Sequence, residues 1–184
     1  METQRLLPGS LLVAHPLMKP NLFSKSVVVI IESHSKTYKG LIVNKKGPYI
    51  VKEVLNDCSA SSVGQSILYK GGPVNPSALI MLHSNEWYSS NTMQIGKELA
   101  ISSDQTMVDK LAADNNPCNY KIIAGISQWS ESQLKNELTC TEEHQPYWLI
   151  LNKYDPEMLF DQETSDIWDM AIDFYSQNMF DQYF

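Results

Sequence analysis

The chain has 184 residues, 43% of them apolar, and a formal net charge of −7. That is enough apolar material for one sizeable core, and no apolar run approaches the ~20 residues that a membrane-spanning helix needs. Net negative charge disfavours broad binding to phosphate backbones. The charge is uneven: residues 137–184 hold eleven acids and one base, Lys153, so the surplus acid lies in the C-terminal quarter.

In chain order, Ser10–Ala14 reads as a first strand rather than the apolar centre of a secretory leader, because the Pro8-Gly9 turn precedes it. His15-Pro16 ends it, and a loop stiffened by Pro16 and Pro20 runs to Phe23. Five β-branched residues follow, Val27–Ile31, then a polar segment with Ser33, Ser35, Thr37 and Gly40, then Leu41-Ile42-Val43. β-branched side chains pack well on a pleated surface, so the two apolar runs predict a hairpin whose first strand is buried on both faces. Residues 44–48 (Asn-Lys-Lys-Gly-Pro) read as a turn, Val51–Asn56 as a short helix, and Ser59–Gln65 as a mobile loop.

Ile67–Lys70 reads as extended and leads into Gly71-Gly72-Pro73-Val74, a turn that needs unusual backbone angles or close approach by another group. Ala78–His83 reads as a buried strand, and Thr92–Ile95 with Glu98–Ile101 as a hairpin around Gly96. Ser102-x-x-Gln105 has the form of a capping box and predicts a helix over Ser103–Ala113. Tyr120–Ile126 reads as a strand, Ser130-x-x-Gln133 as a second capping box opening a helix, and Tyr147–Leu151 as another strand. Beyond Pro156 the apolar residues Ile167, Met170, Ala171, Phe174 and Tyr175 form a helical stripe, with a solvated acidic face opposite. Early strands followed by alternating helices and strands imply an α+β fold. The expectation is a single domain with a mixed, partly antiparallel sheet, helices around it, and residues 155–184 as an acidic helical segment.

Catalytic signatures are missing. There is no GxxxxGK[ST], no GxGxxG and no HExxH, and the four histidines lie far apart. Gly125-Ile126-Ser127-Gln128-Trp129 begins like a nucleophile elbow, but Trp in the fifth place does not suit that strained turn, so Ser127 reads as a loop residue. No metal and no cofactor are expected. The three cysteines, Cys58, Cys118 and Cys140, form no CxxC pair and read as reduced thiols, which suits a cytoplasmic protein. Polar residues ending apolar strands, Glu32, Asn44 and His83, together with the exposed N–H groups of Gly71 and Gly72, are the candidate residues for a small anionic ligand.

Several pieces recur in a fixed order: Gly9-x-Leu11-Leu12-Val13-Ala14-x-Pro16-x-Met18, Phe23-x-x-Ser26-Val27-Val28, Glu32 and Gly40-Leu41-Ile42-Val43-Asn44. They continue with Gly71-Gly72-Pro73-Val74, Leu82-His83, Gly125-x-Ser127-x-Trp129, Gln133-Leu134-x-x-Glu137-Leu138 and Trp148-Leu149. In this order the chain resembles the AlgH/YqgE family of small bacterial cytoplasmic proteins. The resemblance implies one α/β domain with a strongly bent sheet. It implies no catalytic residues, although the family is often labelled a transcriptional regulator. In the family pattern a His directly follows the strand-ending Glu; here Ser33 takes that place and His34 comes next. The first expectation is a non-enzymatic regulatory or binding protein acting through a small ligand or protein partner. The second is an enzyme acting on a phosphorylated or anionic small molecule. The third is direct DNA regulation, disfavoured by the absence of a basic recognition helix.

Overall fold

The computed structural model describes residues 6–141, 146–161 and 164–183. Glu142, Glu143, His144, Glu163 and Phe184 lie outside the described residues. Ten strands occur in the described part, β1 (Leu11–Ala14), β2 (Val27–His34), β3 (Thr37–Ile42), β4 (Lys46–Ile50), β5 (Ile67–Lys70), β6 (Val74–Ser84), β7 (Met93–Ile95), β8 (Leu99–Ser102), β9 (Tyr120–Ser130) and β10 (Trp148–Leu151). Three α-helices, α1 (Gln105–Ala112), α2 (Glu131–Leu138) and α3 (Thr164–Tyr183), pack around them.

The sheet is mixed, as the sequence predicts. Its main path runs β10-β1-β2-β3-β9-β6-β8-β7, with every neighbouring pair antiparallel. Strand β5 joins β9 in parallel and carries β4 on its other edge. β9 is the shared strand. Its last four residues pair with β3, whereas Ile122–Ala124 pair with β5 and the first half also pairs with β6. One long strand thus serves two sheet segments, and Gly125, with φ +79°, sits between them.

The hairpin of β2 and β3 has the expected two-faced burial. Val27, Val29 and Ile31 enter one core with Leu11, Val13, Leu41 and Val43. Val28 and Ile30 enter a second core with Leu12, Ala14 and Ile42. Side chains alternate across a strand, so a run buried at every position must serve a core on each side. Burial of each such aliphatic side chain is worth about 2 kcal/mol. A third core gathers Leu68, Met81 and Ile122 under Met107, Val108 and Leu111 of α1.

The structure corrects several local expectations. The polar segment after Val27–Ile31 is not a loop: both strands continue to a two-residue turn at Ser35-Lys36, where φ is +50° and +65°. Left-handed backbone at both turn positions matches the strand twist, so the hairpin closes tightly without the usual Asn-Gly. Residues 44–48 are not a simple turn, because Lys46–Ile50 pairs with β5. Val51–Asn56 forms short 3-10 turns rather than an α-helix, and Ser62–Gln65 is likewise a 3-10 turn that buries Val63. Helix α1 is capped by Asp104, whose carboxylate accepts from the Met107 N–H at 2.8 Å, rather than by Ser102. Ser130 does cap α2, accepting from the Gln133 N–H.

The Trp129, Glu137 and Trp148 positions belong to one cluster. Both indole N–H groups donate to Glu137 Oε2, at 3.0 and 2.7 Å, and the two rings meet edge to face. On α3, Ile167 and Ala171 are fully buried and Trp168 Nε1 donates to the Ala14 carbonyl, while Asp166, Asp169 and Asp173 face solvent. No helix among the described residues is long and apolar enough to cross a membrane.

The tightest point is where Gly71 and Gly72 cross β9. The Gly71 N–H donates to the Ala124 carbonyl, and the Gly71 carbonyl accepts from Ile42 N–H and Ser127 Oγ. A Cβ at Gly71 would overlap the Gly125 carbonyl, and one at Gly72, where φ is +148°, would overlap Ser127 and Ile126. Ser127 is accordingly a buried strand residue and not the loop residue that the sequence suggests. Gly71→Ala should lower the melting temperature by about 5–10 °C, the effect of an overpacking cost near 2–3 kcal/mol in a domain of this size. A thermal melt by circular dichroism checks this.

Candidate functional site

Three of the sequence-selected positions, Asn44, Gly71 and Gly72, lie together. Asn44 is 7% exposed and clamps the entry to β2: its Oδ1 accepts from the Val27 N–H at 2.9 Å and its Nδ2 donates to the Lys25 carbonyl at 2.8 Å. This holds Lys25 at φ +54°. Gly71 reaches the same strand end through Ile42. Gly71 and Gly72 are glycines because two backbones touch there, a role that needs no ligand.

Glu32 and His83 lie elsewhere. Glu32 follows a bulge in β2, and its half-exposed carboxylate takes an ion pair from Lys39 across the hairpin at 2.9 Å. A surface pair of this kind contributes about 0–1 kcal/mol. His83 pairs with Tyr120, whereas Val74 beside the glycines pairs with Ile126. Six residues of β9 separate those positions, roughly 20 Å along the strand. His83 is fully buried, edge-on to Trp87. Its Nδ1 lies 2.9 Å from the Ser84 carbonyl, which only accepts, so Nδ1 carries the proton. Nε2 then accepts from Ser102 Oγ at 2.9 Å, and Ser102 in turn meets Thr92 Oγ1 at 2.7 Å.

The cleft that adjoins the glycine turn was not legible in the sequence. It encloses about 880 Å³ between β4, β5 and the start of β6. Leu22, Tyr49, Val54, Leu68 and Leu79 supply apolar walls, and Gly72-Pro73 forms one margin. Lys45, Lys46 and Lys70 line it, and no acidic residue does. Lys45 is tied down, its Nζ donating to the Ser24 carbonyl at 2.8 Å, and burial followed by the charge of Lys25 lowers its pKa. Lys46 and Lys70 are exposed. Three cations with no carboxylate among them give this cleft a positive potential on a chain of net charge −7. The missed signal was Lys45-Lys46 beside Lys70: they become neighbours only because β4 pairs with β5, with Lys46 opposite Tyr69. Among the described residues no group of three or more His, Cys, Asp or Glu side chains could hold a metal ion.

Burial lowers the pKa of His83, against weaker opposing effects of the Ser84 carbonyl and Glu86. The native imidazole therefore stays neutral where the unfolded chain, near pKa 6.5, takes up a proton. The unfolded state binds more protons below that value, so stability is full above about pH 6.5 and falls as pH drops, by at most about 1.4 kcal/mol per pH unit from this group. Urea melts between pH 7 and 5 should show this slope, and His83→Gln should reduce it.

The family model described as AlgH-like matches residues 11–179. A UPF0301 protein of Methylococcus capsulatus is 29% identical over 167 residues, covering 89% of this chain and 88% of that protein. One from Vibrio parahaemolyticus is 27% identical over 175 residues, covering 91% and 90%. Among solved structures, the AlgH protein of Pseudomonas aeruginosa superposes with a TM-score of 0.68 at 28% identity, covering 88% of this chain and 84% of that one. Protein DIP2367 of Corynebacterium diphtheriae, at 19% identity and TM-score 0.65 over 91% and 86% of the two chains, shares the fold. With a family model spanning nearly its whole length, the chain belongs to the AlgH-like family.

Proposed function

We propose that this protein is a non-enzymatic binding protein that holds a small amphipathic anion in the cleft between β4, β5 and β6. The observation that supports this reading is the pairing of apolar walls with three lysines and no carboxylate in one cavity of about 880 Å³. Ligand pockets commonly combine a mostly apolar lining with a few polar groups that fix orientation. An apolar body would lie against Leu68, Leu79 and Tyr49, and its anionic group would meet Lys46 and Lys70. Lys45 is held by one of its N–H donors on the Ser24 carbonyl and adds its charge from that fixed position. Cations and apolar walls line the cleft rather than an imidazole or carboxylate, a composition suited to holding an anion. An acidic chain with one cationic cleft also suits a small anion better than a DNA duplex, whose recognition needs a broad basic surface.

The probe is 8-anilinonaphthalene-1-sulfonate, whose fluorescence reports an apolar body and a sulfonate bound together. It should bind the folded protein, and 0.5 M salt should weaken binding, as expected for exposed cations. Lys46→Ala with Lys70→Ala should raise the Kd about threefold to thirtyfold, the loss of two exposed charge contacts. Leu79→Asp should abolish it. Binding indifferent to salt and to both sets of substitutions would contradict the reading.

A further inference from the structure

Lys121 is 2% exposed, a cationic side chain buried as deeply as the core residues around it. It lies on β9 opposite Leu82, on the face that buries Tyr69 and Ile123. Its Nζ donates to the Val43 carbonyl at 2.9 Å and stands 4.5 Å from the centre of the Tyr69 ring. A buried ammonium is costly, so such a lysine sheds its proton more readily than one in water. Burial, helped by the nearby charge of Lys46 and opposed by that of Asp161, brings its pKa down to about 7. A carbonyl contact suits both forms, since a neutral amine still donates.

Beside Lys121 lies a second cavity, of about 290 Å³, lined by Lys121, Tyr69, Tyr120, Ser66, Asn119 and Phe160. Exposed Gln65 and Cys118 stand at its margin. The hydroxyl of Tyr69, a residue only 3% exposed, has no hydrogen-bond partner among the described residues. Buried hydroxyls are nearly always partnered, and this orphaned one belongs to a residue that lines the cavity, so we read it as a donor held for a ligand oxygen. Burial, with the charge of Asp161, raises the pKa of this phenol, so it serves as a hydrogen-bond donor at neutral pH.

We propose that Lys121 is the reactive group of a second site, which takes a small aldehyde or ketone from this cavity and holds it as an imine. Desolvation and a neighbouring cation are the two devices that make a lysine amine nucleophilic, and both act here. The Nζ lone pair attacks the carbonyl carbon, forming the C–N bond. The carbonyl π pair moves to oxygen, which the Tyr69 hydroxyl stabilises by donating a hydrogen bond. A proton passes from nitrogen to oxygen, giving the carbinolamine. The C–O bond then breaks, and oxygen leaves as water with the remaining nitrogen proton. One amine and one carbonyl give one imine and one water, with nothing oxidised or reduced. This site does not depend on the cleft reading, since neither Lys121 nor this chemistry enters it.

The test treats the full chain with propanal and sodium cyanoborohydride, which reduces an imine to a stable secondary amine, and maps the propylated lysines by mass spectrometry. At pH 7 Lys121 should be labelled about tenfold or more faster than the exposed lysines, because far more of it is free amine. Its rate should fall below a midpoint near pH 7, whereas the exposed lysines should still be accelerating at pH 9. Lys121→Met should lose the fast adduct while keeping a cooperative melt. Tyr69→Phe should slow the reaction severalfold and leave Lys121 the preferred site. Labelling of Lys121 no faster than that of the exposed lysines, or none at all, would overturn the proposal. A Tyr69→Phe rate equal to wild type would overturn the role given to the phenol.

Discussion

Everything in this fold depends on a contact between two stretches of bare backbone. Gly71 and Gly72 lie against Gly125, Ile126 and Ser127 so closely that no side chain fits between them, and Gly125 in turn has the Gly72 carbonyl 2.6 Å from where its Cβ would be. At this crossing β3, β5 and β9 exchange hydrogen bonds through a single residue, Gly71. The parallel β5–β9 pairing and the antiparallel β3–β9 pairing can then share one strand. Tyr69, on β5 just before the crossing, lines both cavities.

The crossing joins two kinds of interior. On the β1–β2–β3 side, every aliphatic residue of Val27–Ile31 is buried, which gives the hairpin its rigidity. On the β4–β5 side the packing is incomplete, and apolar residues line open space instead: Tyr49 is 55% exposed and Val54 49%. Proteins place binding surfaces on such margins, beside a core that holds the geometry. Charge follows the same division. The acids of α3 face water on one part of the molecule, while the cleft collects lysines. The buried Lys121 lies between, on the shared strand, where its cost is moderated by the Val43 carbonyl and the Tyr69 ring.

What could be read from the sequence was what local chemistry dictates. The β-branched run, the Ser130 cap and the α3 stripe each follow from spacing and side-chain type, and each is in place. The Ser35-Lys36 turn could not be read, because neither residue advertises left-handed backbone and only pairing of the flanking strands enforces it. Strand β4 was hidden by Gly47 and Pro48, which read as a turn; its partner β5 supplies what the local sequence lacks. The glycine pair signals unusual backbone angles or a close approach, and the approaching group is the chain's own β9. His83 and Glu32 share with Asn44 only the property of ending an apolar run, and that property carries no information about distance in space. Lys121 stands inside a strong strand pattern, and one cation among isoleucines carries no local signal of burial.

The crossing itself can be measured by native-state hydrogen exchange. If backbone contact at Gly71 unites the sheet, the amides of Gly71 and Ile42 exchange only through global unfolding, with the same free energy and denaturant dependence as the slowest core amides of β2. Exchange of those two amides through a local opening, well below the global free energy and insensitive to denaturant, would contradict it.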